Sequence, residues 1–222
     1  MVVNFAFLQL GVDRDRHLAK VMVHSIREHH KDAVIYQISN LTTPEVGDVD
    51  SVIRIPITEG MMTFRMASYE YLPKEVIYFD TDVVIQSNLE HVFDDDFDVA
   101  FTKRNSPIKT KEEDLTEDMP YNGGVVFSRN KDFWRDCHEV CKSLPLRRQN
   151  WFGDQIAMAI VSKAGKYKVK EFPVEYNFSP KNFTEDVSSM KIVHYKGERK
   201  VWMAVKYQEL LGVNINVIRE SA

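Results

Sequence analysis

The run Val76-Ile77-Tyr78-Phe79-Asp80-Thr81-Asp82-Val83-Val84-Ile85 is apolar and strand-like except for two carboxylates one residue apart. The two-residue period of a strand predicts that Asp80 and Asp82 share one side. Two unpaired negative charges beside a core are costly to desolvate, so positive charge is expected between them. The simplest source is a divalent cation with oxygen ligands, able in turn to hold a diphosphate.

Around that run the pattern alternates. Strand-like segments are read at 2–10, 33–39, 51–57, 76–85, 99–102, 124–128 and 191–195. Leu18, Val21, Met22, Ser25 and Ile26 make one helical face after the acidic start Asp13 and Asp15, and a second helix is read around Phe64 to Tyr71, before Pro73. Such alternation indicates a layered α/β fold with a mostly parallel sheet. Ligands bind beyond the carboxyl ends of strands in these sheets, where Asp80 and Asp82 lie if the strand proper is 76–79. The 222 residues are most simply one domain, 1–222, and a composition 44% hydrophobic and 28% charged excludes disordered and membrane classes.

A net charge of −4 gives no footprint for nucleic acid. The apolar start has no basic residue before it and reads as a buried strand rather than a signal peptide, and no segment has the length of a membrane span. Cys137 and Cys141 share a helical stripe with Phe133, Val140 and Leu144, which makes them buried hydrophobes rather than a disulfide or metal pair. A reducing, cytoplasmic setting follows, in which the sequons at Asn40 and Asn182 carry little weight. The polar segment 103–121 is a candidate mobile loop over a site or a solvated excursion. The acidic run Asp94-Asp95-Asp96-Phe97-Asp98 reads as a turn.

Asp-x-Asp after an apolar strand also fits phosphatases of the haloacid dehalogenase type, with Asp80 as nucleophile and Asp82 as acid. Two features disfavour that alternative: the motif lies far from the N-terminus, and Met158 stands where a second acid is expected after Gly153-Asp154. Further on come Tyr121-Asn122-Gly123-Gly124, then Trp151-Phe152-Gly153-Asp154-Gln155 opening a helix, then His194-Tyr195-Lys196-Gly197-Glu198-Arg199-Lys200-Val201-Trp202. In this order and spacing the chain resembles the GT-A nucleotide-sugar transferases. The likeness is greatest to glycosyltransferase family 8, which holds bacterial lipopolysaccharide galactosyltransferases and glycogenin. It runs from about Asn4 to Trp202, and its best match is the ending His-x-x-Gly-x-x-Lys-x-Trp.

The resemblance implies a single GT-A domain with a mixed, mostly parallel sheet flanked by helices. It implies retaining transfer of a hexose from a UDP-sugar donor to a hydroxyl of a saccharide, protein or lipid-linked glycan acceptor. Asp80, Asp82 and His194 look like the ligands of a manganese ion, and a mixed oxygen and nitrogen set suits manganese better than magnesium. Thr81, Gly197 and Lys200 would meet the donor, Gly197 by letting backbone approach the phosphates and Lys200 as a point charge. Asn122 and Gly123 resemble the segment facing the donor sugar, and Asp154 and Gln155 the pair on its other side, with Gln155 nearest the anomeric carbon. Asp154 equally reads as a helix cap with Trp151 or Phe152 as its staple. Arg65 matches a family arginine near the sugar and would otherwise be a helix-surface residue. Val201 replaces a proline, and Leu10-Gly11-Val12-Asp13 follows the uracil-binding turn only loosely, leaving Gln9 and Asp13 as the nearest polar candidates for the base. That altered turn also admits a non-catalytic nucleotide-sugar-binding protein.

Overall fold

A computed structural model describes residues 2–11, 16–104 and 106–208. In chain order its elements are β1 (Asn4–Leu8), α1 (Arg16–His29), β2 (Val34–Ser39), β3 (Ser51–Arg54), α2 (Met61–Ser68), β4 (Val76–Phe79), β5 (Val83–Ile85), β6 (Val99–Lys103), β7 (Tyr121–Ser128), α3 (Lys131–Ser143), α4 (Leu146–Asn150), α5 (Gly153–Lys163), β8 (Val169–Phe172), β9 (Ile192–His194) and α6 (Lys200–Lys206). Short 3-10 turns join several of them.

Alternate residues of the central strands feed two separate cores. Phe5 and Phe7 of β1 and Ile77 and Phe79 of β4 face a layer covered by α1 through Ala19, Met22, Val23 and Ile26. Ala6, Val76 and Tyr78 face the opposite layer, where Phe64, Phe133, Trp134, Cys137, Cys141 and Ala157 of α2, α3 and α5 pack. A sheet covered on both faces requires apolar residues at every position of its inner strands, which explains why 76–79 is unbroken. The seven-stranded sheet has the order β3-β2-β1-β4-β7-β6-β8. Its pairs β2–β3, β1–β2, β1–β4 and β6–β8 are parallel, and β7 runs antiparallel between β4 and β6. This is the mixed, mostly parallel α/β sheet expected.

The apolar run 76–85 is not one strand. The chain leaves the main sheet after Phe79, turns through Asp80-Thr81-Asp82, and enters β5, which pairs antiparallel with β9 in a separate two-stranded sheet. Asp80 and Asp82 therefore come together through a turn between two sheets and not through strand period. The short strand β8, at the sheet edge, has no counterpart in the sequence reading because lysine and glutamate interrupt its pattern, a composition common on edges.

Segment 104–120 carries its own turn, with Thr110 donating to the Glu113 carbonyl at 2.9 Å, and buries Leu115 and Met119. Both cysteines are buried and free, and Cys141 Sγ lies 3.4 Å from Thr63 Oγ1. Among the described residues no helix is long and apolar enough to cross a membrane.

Candidate active site

Three local devices converge at the end of β4. Asp80 N–H donates to the Gly124 carbonyl at 2.8 Å, so the first carboxylate is fixed to β7. Tyr195 N–H donates to the Asp82 carbonyl at 2.8 Å, and the β5–β9 register sets Val83 opposite His194. As a result one ligand atom each from Asp80, Asp82 and His194 lies within 4.8 Å of the others. His194 Nε2 is 3.1 Å from Asp82 Oδ1 and 3.7 Å from Asp80 Oδ2. Asp82 Oδ1 is nevertheless buried with no partner in hydrogen-bonding geometry. Lone pairs facing a common point without bonding one another are what ligands of a shared cation present, and two oxygens with one imidazole nitrogen fit a divalent transition ion.

The imidazole is oriented from behind. Asn177 Nδ2 donates to the Asn122 carbonyl at 3.1 Å, which turns Asn177 Oδ1 towards His194 Nδ1 at 3.0 Å. Nδ1 must then carry the proton, leaving the Nε2 lone pair free for an ion. Gly124 leaves the space: a Cβ there would sit 2.0 Å from His194 Cε1 and 2.9 Å from Asp80 Oδ2. Burial works to raise the Asp82 pKa, but the close approach of the His194 ring and the Lys200 ammonium outweighs it and holds the carboxyl below its ordinary value.

Arg65 is not on the helix surface. Only 9% exposed, it reaches inward from α2 to Asp80 Oδ1 at 2.9 Å and Asp154 Oδ2 at 3.1 Å, and donates to the Gly123 carbonyl at 2.7 Å. Burial opposes its charge, and Asp80 and Asp154 more than restore it. Burial pushes the Asp154 carboxyl upward against the pull of Arg65. Asp154 is not the cap of α5, because Phe152 occupies that position with φ of 71°. Trp151 is 62% exposed and staples nothing. Gln155 Oε1 accepts from Arg104 Nη2 and lies 3.4 Å from Gly123 N.

Lys200 Nζ stands 3.7 Å from Asp82 Oδ2, so it faces the cluster rather than bulk solvent. Gly197 takes φ of 65° with open space where a Cβ would be. Thr81 is half-buried in the turn between the two carboxylates. Asn122 is buried with its amide spent on the scaffold: Oδ1 accepts from Gly124 N at 3.2 Å and Nδ2 donates to Asn177 Oδ1 at 3.3 Å. Gln9 is buried just past β1, its N–H bonded to the Ile38 carbonyl, while Asp13 lies outside the described residues. Asn177, Arg104 and Lys196 were not singled out from sequence, since each has meaning only through a partner far along the chain.

The family model described as glycosyl transferase family 8 matches residues 57–206, about two thirds of the chain. The chain belongs to glycosyltransferase family 8. Its fold agrees with that of solved glycosyltransferases. The galactosyltransferase LgtC, solved with donor and acceptor sugar analogs, is 16% identical with a TM-score of 0.63 over 95% of each chain. GlyE of Streptococcus pneumoniae TIGR4 is 17% identical with a TM-score of 0.65, over 100% of this chain and 63% of GlyE. The bifunctional enzyme WbbM is 15% identical with a TM-score of 0.64, over 89% of this chain and 46% of WbbM. The chain thus spans less than two thirds of two of these relatives. No curated protein matches it. Membership of glycosyltransferase family 8 makes the domain a glycosyltransferase domain and removes the phosphatase alternative. The family match begins at residue 57, so Gln9 and Asp13 lie before it.

Proposed function

We propose that this glycosyltransferase moves a hexose from a UDP-sugar to an acceptor hydroxyl with retention of configuration, using manganese held by Asp80, Asp82 and His194. The observation that carries the proposal is the convergence of those three donors on one point, with Lys200 alongside. A divalent cation there supplies positive charge to the departing diphosphate. Lys200 adds a second positive charge to the leaving UDP, and Gly197 and Thr81 let backbone approach its phosphates. Gln9 and Asp13 are assigned to the base. Gly123, Arg65 and Asp154 line the sugar, with Arg65 holding the Asp154 carboxylate in place, and Asn122 supports the cluster from beneath that same strand.

Transfer breaks the bond from the anomeric carbon to the UDP oxygen and makes one to the acceptor oxygen, whose proton leaves with it. Gln155 beside that carbon has its carbonyl oxygen already engaged by Arg104, which favours substitution on the face of departure over a covalent enzyme intermediate. The acceptor is a saccharide, protein or lipid-linked glycan in the cytoplasm, and segment 103–121 closes over it. Calorimetric titration of UDP with manganese and again with chelator tests the reading. Binding is expected only with the metal and is lost in Asp82→Asn; equal binding in both states, or an unaffected variant, would overturn it.

A further inference from the structure

The side chain of Gln155 is fixed along its stem and at its tip. A Cβ at Gly123 would stand 3.1 Å from Gln155 Cγ and 2.8 Å from Met158 Cε, so a glycine there lets the stem lie on β7. At the tip, Oε1 accepts from Arg104 Nη2 and lies 3.4 Å from Gly123 N. A guanidinium and a backbone N–H can only donate. Both partners therefore require the amide oxygen, and the direction of the amide is set by their chemistry rather than by the similar shapes of its two ends. The Nε2 group is left over, and among the described residues it meets no acceptor.

Arg104 can impose this direction because its own place is fixed. It follows Lys103 at the end of β6, and its N–H donates to the Pro120 carbonyl at 2.7 Å, just before β7 begins. The register beside it sets Lys103 opposite Tyr121 and Thr102 opposite Asn122. Its side chain is half-buried; burial pulls its pKa down, against the charges of Asp154 and Asp80. A hydrogen bond from a charged donor is stronger than one from a neutral amide. Without Arg104 only the long contact to Gly123 N would favour one direction of the Gln155 amide.

We propose that Arg104 is a positioning residue for transfer: by capturing Gln155 Oε1 it turns Gln155 Nε2 towards the donor sugar, where the amide donates to a hydroxyl or acetamido oxygen. The proposal rests on the donor-site reading above, and adds to it the direction of the hydrogen bond and the residue that imposes it. A sugar facing a fixed N–H must offer a lone pair at that place. An amide free to turn would present its oxygen as readily and impose no such condition.

A double-mutant cycle tests this by calorimetry in manganese. The probes are UDP and four UDP-sugars, those of glucose, galactose, N-acetylglucosamine and N-acetylgalactosamine, and the cycle follows the UDP-sugar that the wild type binds most tightly. Arg104→Met and Gln155→Met should each weaken that ligand about tenfold, the scale of one hydrogen bond, while leaving UDP itself within about twofold. The double variant should lose no more than either single one, because Arg104 acts through Gln155. Arg104→Lys keeps a charged donor and should recover part of the loss, which also guards against misfolding of the methionine variant. Equal weakening of UDP and UDP-sugar, no weakening at all, or losses that add in the double variant would overturn the positioning role, with metal-dependent UDP binding by the wild type still standing. Absence of that binding in the wild type would instead overturn the donor-site reading, and the positioning role with it.

Discussion

The lack of a side chain at Gly124, on β7, leaves room for the Asp80 carboxylate and the His194 imidazole, two of the proposed metal ligands. In Gly124→Ala the new methyl would overlap His194 Cε1, so the imidazole must move. Manganese affinity, followed by electron paramagnetic resonance, should fall at least as far as it does when an outer-shell partner is lost, roughly 10–100-fold. Asn177→Leu tests that outer shell directly: without its Oδ1 nothing selects the Nδ1–H tautomer, and a loss in the same range of roughly 10–100-fold is expected with the fold intact. Away from the site, His30 accepts the Leu89 N–H at 3.0 Å and is held neutral. Burial lowers its pKa below the ordinary 6.5, with Glu90 opposing. Below 6.5 the unfolded chain therefore takes up a proton that the folded chain refuses, so stability falls as pH drops from there towards the folded pKa. Urea midpoints on either side of that pH should show the decline, and His30→Gln should flatten it. Asp80 and Asp82 were legible because their type and spacing state a chemistry by themselves, whereas His194 was reached only through the resemblance of the ending His-x-x-Gly-x-x-Lys-x-Trp to the family. Asn177 and Arg104 were not, because an isolated amide or guanidinium in a polar stretch names no partner.

At the level of elements, α2 and α5, which pack in the same layer on one face of the sheet, are tied to each other by Arg65 and Asp154. Removing one member of a buried pair strands the other, so Arg65→Met should cost about 3–5 kcal/mol in denaturant unfolding. Adding Asp154→Leu should return part of that loss, because the orphaned carboxylate is gone. A full cost that persists in the double variant would mean that Asp80 and the Gly123 carbonyl, not Asp154, are what Arg65 serves. On α3 and its neighbours, burial pushes the Cys141 thiol up to about 11 and Cys137 higher than its ordinary value. Thiol reagents should react with neither cysteine in the native state and with both after unfolding. Helical stripes of this kind were readable from apolar spacing. The break between β4 and β5 was not, since both halves are apolar and only the change of pairing partner separates them. Nor was the buried place of Arg65, which α2 alone presents as an ordinary surface position.

Across the whole molecule, two hydrophobic layers hold one sheet, and the site is assembled from chain segments that meet only when both layers are packed. Ligand binding should accordingly report on global stability. At about 100 times the dissociation constant a ligand of the native state adds about 2.7 kcal/mol, which for a chain of this size raises the melting temperature by roughly 5–10 °C. UDP and manganese together should give that shift, and UDP with chelator should give little of it. The layered fold itself was evident from the alternation of strands and helices, while the small second sheet was hidden because its strands, read at 76–85 and 191–195, do not disclose that they pair with each other. That small sheet also orders events during synthesis. A nascent chain that has emerged only as far as Lys191 owns both carboxylates but not the His194 imidazole, and β5 still waits for its partner β9. The chain before β9 can therefore be synthesised without offering the three-donor site proposed for manganese, which is complete only as the last strand docks.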